Sequence, residues 1–348
     1  MRRPRLLAPT EFSYAVYHCV SRVVDRGKVL GDKEKEQFTK YMRLYSKLYG
    51  LRILTHCLMS NHFHILVEVP PRPEVLLTNQ ELIDLIRATL GDARADKLAS
   101  WFAHCAKHGN DAAIKEERER WFSRMWNLAS FMKVLKQRFS QWFNGTRATR
   151  RTGTLWEDRY RSVLVERGTA LQAMAAYIDL NPVRAGLVSD PKDFRWSGYG
   201  EAMAGREEAT AGLRWLAEHP SADGLAPAAT PDSSSATVLA WYREQLYFKG
   251  QEIRDQDGTV VKRGFSEEEI KAVIEAGGRL PLTAFLRLRV RYFTDGAVLG
   301  SNAFVEKVFQ AHRERFSDKR LTGARRLQRL ELESPLRVAR ALAVRAVE

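Results

Sequence analysis

The residues best suited to chemistry stand in MSNHFHILVEV, 59–69, where His62 and His64 lie two positions apart. A β-strand alternates its side chains between faces, so both imidazoles project from one face with Leu66 and Glu68. Phe63, Ile65, Val67 and Val69 point to the other face. An apolar face opposite a mostly polar one is the pattern of a strand with one side on a core. Two imidazoles on neighbouring positions of one face have the geometry of a metal-ligand pair; a polar strand face with incidental histidines has the same pattern. A second place is GTALQAMAAYIDLNPVRAGLV, 168–188. Tyr177 flanks the apolar stripe of Leu171, Met174, Ala175 and Ile178, and Asn181 follows one helical turn later on nearly the same side. That tyrosine reads as a core-boundary residue or as a nucleophile. A third place is WFSRMWNLASFMKVLKQRFSQWFNGTRATRR, 121–151, with seven Lys/Arg, no acid and interleaved aromatics. Cations such as Lys133, Lys136 and Arg138 would neutralise phosphates while exposed rings stack on bases. A helix with its aromatics in a core and its cations in water has the same spacing.

Positioning these groups needs a mixed set of elements. SYAVYHCVSRVV, 13–24, is rich in β-branched and aromatic residues and reads as a first strand. Asp32 is placed to N-cap a helix running to Tyr49, with Gly50 as its stop. LRILTHCL, 51–58, turns through Met59-Ser60-Asn61 into the histidine strand, which PPRP at 70–73 ends. Residues 79–112 read as an added helical piece and 114–144 as one long helix. Strand character resumes at TLWEDRYRSVLVE, 154–166, and Thr169 with Gln172 forms a capping-box signature for the next helix. Pro182 biases Asn181 away from helical geometry and ends it. HPSADGLAPAATPDSSSAT, 219–237, has linker composition. Further helices are expected near 237–247, 266–276, 281–291 and 301–315. The segment 291–316 has the shape of a helix-turn-helix, or equally of a small packing domain.

A chain of 348 residues can bury a core and form two domains, or one with an extension. Its 45% hydrophobic and 28% charged content is that of a soluble globular protein. No apolar run approaches a bilayer span, so no membrane partner is expected. The start, MRRPRLLAPTEF, lacks the apolar core of a signal peptide. Three scattered cysteines fit a reducing cytosol. Of the net charge of +14, residues 1–200 hold +12, which favours a polyanion as partner.

In this order, MSNHFHILVEV, LWEDRYRSVLVE and AAYIDLNPVRAGLV resemble the single-tyrosine HUH transposases (IS200-like), and among them the REP-associated tyrosine transposases of bacteria. The resemblance spans roughly residues 10–200. It implies an α+β fold, a ferredoxin- or RRM-like antiparallel sheet with flanking helices. A catalytic domain would occupy 1–200 with 79–112 as an insertion, followed by a linker region over 201–237 and a smaller helical C-terminal region over 238–348. By the same resemblance His62 and His64 bind a divalent cation, Asn181 is its third ligand, and Tyr177 is the nucleophile toward DNA. Mixed nitrogen and oxygen ligation suits Mn²⁺, and Mg²⁺ through added water and phosphate oxygens. Attack by Tyr177 would yield a 5′-phosphotyrosine and a free 3′-hydroxyl, and the covalent link would spare ATP on rejoining. Arg159, Arg161 and Arg184 flank these motifs as expected phosphate contacts, each also readable as one half of a surface ion pair. The implied partner is single-stranded DNA folded as a hairpin from an imperfect palindrome, in the bacterial cytoplasm at the nucleoid. Monomer and homodimer are both open, a swapped dimer setting Tyr177 against the other copy's histidines. Ser60 departs from the proline usual before Asn-His. Two rival readings remain: a non-catalytic hairpin binder or regulator that kept the fold, and a zinc hydrolase of small phosphoesters, which would not need Tyr177.

Overall fold

A computed structural model describes residues 5–12, 14–147, 151–219, 230, 232–249, 253–254, 260–262, 293–294, 296–326 and 336–340. In chain order its elements are β1 (Ala15–Arg22), α1 (Asp32–Tyr49), β2 (Arg52–Leu58), β3 (His62–Val69), α2 (Asn79–Leu90), α3 (Asp92–Lys107), α4 (Asp111–Phe122) and α5 (Leu128–Gly145). Then come β4 (Arg161–Val165), α6 (Thr169–Asp179), α7 (Asn181–Arg184), α8 (Gly198–Met203), α9 (Glu207–Glu218) and α10 (Ser235–Lys249). The last are β5 (Ile253–Arg254), β6 (Val260–Lys262), β7 (Val298–Gly300), α11 (Asn302–Ala311), β8 (Arg325–Arg326) and β9 (Arg337–Val338). The chain divides into two units: Met1–Leu30, Ile53–Glu68 and Glu157–Glu348 in one, Gly31–Arg52 and Val69–Trp156 in the other. The resemblance, by contrast, implies a catalytic domain bounded at residue 200. The fold is α+β, a seven-stranded, mostly antiparallel sheet flanked by helices.

The first unit is built on that sheet, in the order β2-β3-β1-β4-β7-β9-β8. β1 and β4 pair antiparallel with His18 opposite Val163 and Val20 opposite Arg161. β7 joins β4 in parallel and β9 antiparallel, so the C-terminal region supplies strands to the sheet as well as the helices α10 and α11. In 291–316 a strand, Val298–Gly300, stands where a helix-turn-helix would have its turn. Its backbone pairs with β4, and an unpaired turn there would leave Leu164 N–H and Glu166 N–H without acceptors. The core takes Val16, Phe63, Ile65, Val67, Val163, Val165, Leu171, Met174 and Ile178. The polar face of β3 is also covered: His64, Leu66 and Glu68 are buried with the apolar face, so the strand is not half-exposed.

α6 opens at Gly168, whose positive φ of 83° suits glycine, and the Thr169–Gln172 capping box does not form. Asp179 at its end is buried and accepts hydrogen bonds from the Thr55 hydroxyl (2.7 Å), the Tyr242 hydroxyl (2.6 Å) and the Tyr199 N–H (3.1 Å). These bonds tie the end of α6 to β2, α8 and α10. Within the stretch expected as a linker from 201, Glu207–Glu218 is helical: α9 brings Gly212 against the Ile53 and Leu54 carbonyls. Residues 220–229 and 231, and the helices expected at 266–276 and 281–291, lie outside the described residues.

The second unit is helical. The Gly31 N–H, not Asp32, occupies the cap of α1 and donates to the Glu34 carboxylate, while Gly50 ends the helix at φ 65°. Residues 79–112 form α2, α3 and the start of α4. The long helix expected over 114–144 is broken at 123–127: the Trp126 N–H donates to the Tyr49 carbonyl, and Asn127 restarts the chain by capping Ser130 N–H. On α5, Phe131, Phe139 and Phe143 are buried, with Phe139 against Phe38 and Trp156, so its aromatics are mainly core. Among the described residues no helix is long and apolar enough to cross a membrane.

Candidate functional site

One face of the sheet in the first unit gathers the reactive side chains. Residues opposed across an antiparallel pair share a face, which puts His18 and Val20 of β1 beside Val163 and Arg161 of β4. β3, the neighbour of β1 on its other side, contributes His62 and His64. The rings of His64 and His18 lie 5.1 Å apart and nearly parallel, and those of His62 and His64 lie 5.0 Å apart edge to face. Burial pushes the His18 and His62 pKa values down to about 4, and holds His64 well below the usual imidazole range. All three are therefore neutral at pH 7.

Their hydrogen bonds assign the tautomers. His18 Nδ1 lies 2.8 Å from the Phe293 carbonyl oxygen, which can only accept, so that nitrogen carries the proton. His18 Nε2 then accepts from His64 Nδ1 at 2.9 Å, which leaves His64 Nε2 with its lone pair. Asn61 Nδ2 donates to the Arg26 carbonyl at 3.1 Å, turning its Oδ1 toward His62 Nδ1 at 2.6 Å. His62 therefore also carries its proton on Nδ1 and keeps Nε2 bare.

α6 places Tyr177 on this floor, its ring 5.8 Å from His64, 6.1 Å from His18 and stacked on Phe293 at 4.8 Å. The tyrosine is 2% exposed. The approach to His64 is made within one chain, so no second copy is needed to bring the pair together. Asn181 Nδ2 donates to the Tyr177 and Ile178 carbonyls, which directs its Oδ1 away from the helix end. Arg184 Nη1 also donates to the Tyr177 carbonyl, and its guanidinium lies 4.7 Å over the Tyr177 ring. Burial lowers the Arg184 pKa to about 10, so it stays a cation.

His62, His64, Tyr177 and Asn181 line one cleft of about 450 Å³ with Arg22, Arg26, Arg159, Arg161, Glu157 and Asp158. Four arginines against two acids give it a cationic wall. Arg184 stands beside Tyr177 and does not line the cleft, and Lys133, Lys136 and Arg138 belong to the second unit. Sequence reasoning assigned no role to His18, Asn61, Arg22 or Arg26. The signal for His18 was an imidazole amid the apolar residues Val16 to Val20, on the same alternation as Arg22.

The donor set fits a divalent cation: two neutral imidazoles with Nδ1 engaged and Nε2 bare, beside an amide oxygen. Among the described residues no three His, Cys, Asp or Glu side chains are grouped so as to hold a metal ion.

Residues 11–82, which contain β1 to β3 and both cleft histidines, match the family model described as IS200-like transposase. A solved structure described as a REP-associated tyrosine transposase bound to a REP hairpin is similar over 59% of this chain and 84% of its own, at 13% identity and a TM-score of 0.36. No curated protein matches the chain significantly. The match over β1 to β3 makes this part of the chain similar to the IS200-like transposases.

Proposed function

We propose that this protein is a strand-transferase that cleaves and rejoins single-stranded DNA at hairpin-forming, REP-like palindromes, with Tyr177 as nucleophile. The observation that carries the reading is the meeting of Tyr177 with His64 in one arginine-walled cleft. The Tyr177 oxygen would bond to the scissile phosphorus as the bond to the 3′-oxygen breaks, leaving a 5′-phosphotyrosine and a 3′-hydroxyl. Rejoining reverses these two changes and needs no other energy source. Arg159 and Arg161, with Arg22 and Arg26, would hold backbone phosphates on either side of the reacting one. Arg184 would hold the backbone and ring of Tyr177 in place rather than touch DNA. His62, His64 and Asn181 would hold Mg²⁺ or Mn²⁺, which when bound polarises the phosphate and offsets its charge. The hairpin as partner rests on the resemblance of the three motifs.

A 5′-tailed DNA hairpin incubated with the protein and Mn²⁺ should give a covalent adduct on a denaturing gel. Tyr177→Phe should abolish it, and an adduct that persists in this variant sinks the assignment. The burial of Tyr177 beneath Phe293 favours a second reading, a binder without catalysis. Tight hairpin binding with no adduct under any divalent metal would support that one.

A further inference from the structure

His18 has no part in the proposed chemistry, yet it is fully buried and its ring stands between a carbonyl and a cleft histidine. A buried side chain kept only to fill space would not need two polar atoms, and each would cost free energy if left unpaired. Both are paired, and the pairing has a direction. The Phe293 carbonyl accepts from Nδ1 of His18 at 2.8 Å, and Nε2 of His18 accepts from Nδ1 of His64 at 2.9 Å. The near-parallel rings, 14° apart, keep the second bond in line.

We infer that His18 is a positioning residue that holds His64 in its Nδ1–H tautomer, so that His64 Nε2 faces the cleft unprotonated and ready for a divalent cation. The inference rests on the reading of His64 as a metal ligand. An imidazole without such a partner populates both tautomers, and in the Nε2–H form it has no lone pair to offer on the cleft side. A partner on the remote nitrogen also fixes ring orientation and raises the basicity of the other nitrogen. Asn61 does the same for His62 from within the turn, whereas His18 must reach across from the neighbouring strand.

The test uses the full chain labelled with ¹⁵N-histidine and reads tautomers by long-range ¹H–¹⁵N NMR, with Mn²⁺ alone as the binding probe. In the metal-free wild-type protein both His18 and His64 should show the Nδ1–H signature; an Nε2–H signature for His64 overturns the inference without any variant. In His18→Leu the His64 signal should move toward Nε2–H, and the Mn²⁺ Kd should rise about 10- to 100-fold. His18→Asn, which keeps an acceptor oxygen, should recover part of both losses. An unmoved His64 tautomer in His18→Leu, or a Kd within twofold of wild type, overturns the positioning role. Mn²⁺ affinity unchanged in His64→Ala would instead overturn the ligand reading, and the wild-type tautomer would still decide the relay.

Discussion

Tyr177 is nearly out of water, and the groups around it hold both its ring and its backbone in place. Arg184 donates to its carbonyl and lies over its ring, and Phe293 stacks on that ring. The histidines are set with similar care, since each has its Nδ1 proton committed to a named acceptor. Asn61→Ala removes the acceptor for His62, and the expected outcome is a roughly 10-fold or greater loss of Mn²⁺ affinity by calorimetry, with little change in the melting temperature. Arg161 was legible as a cation near a motif, but its place on the cleft wall came from the β1–β4 register, which puts it opposite Val20. Arg161→Ala should weaken binding to single-stranded DNA and lower the slope of log affinity against log salt by about 0.7, measured by fluorescence anisotropy.

At the level of elements, period and punctuation were readable where the deciding contact is local. β1, α1, β2 and β3 appear where alternation, helical spacing and Gly50 placed them. The break between α4 and α5 was not readable, because helical periodicity continues through it. Its cause is a contact from Trp126 N–H to Tyr49, remote in sequence, together with the cap at Asn127. Asn127→Ala should cost about 0.5–2 kcal/mol in denaturant unfolding, the usual worth of such a cap. α9 shows the same limit inside the region expected as a linker from 201. Gly212→Ala would bring a methyl to 2.5 Å from the Leu54 carbonyl oxygen and 2.6 Å from that of Ile53. The helix would have to shift, and a loss of about 1–3 kcal/mol is expected from the same measurement.

Across the first unit, residues after 200 are tied to the site-bearing part by polar groups as well as by β7. Asp190 accepts from Arg243 of α10 through both oxygens, and from the Tyr247 hydroxyl and the Lys192 N–H. Burial opposes its ionisation, but the Arg243 guanidinium and the other donors outweigh it and hold the pKa down at about 2. An aspartate in the unfolded chain titrates near 3.9, so this cluster stabilises the fold above about pH 4. The contribution is lost as pH falls from about 4 through 2. Asp190→Asn should therefore melt below wild type at pH 7, and the two melting curves should converge near pH 2.

The sequence by itself determined what depends on near neighbours along the chain. Alternation put His62 and His64 on one strand face, helical spacing put Tyr177 one turn from Asn181, and residues 1–200 hold +12 of the net charge of +14. Only the tertiary structure decided which groups meet in the cleft and around it. His18 lies 46 residues from His64 and 275 from Phe293, and no local period links positions so far apart. It also decided that most α5 aromatics are core, that Arg184 lies over Tyr177, and that β7 extends the sheet. The physical reason is common to all of these. Burial and hydrogen-bond pairing are settled when distant segments pack, and each buried polar atom then takes the partner that packing brings within reach.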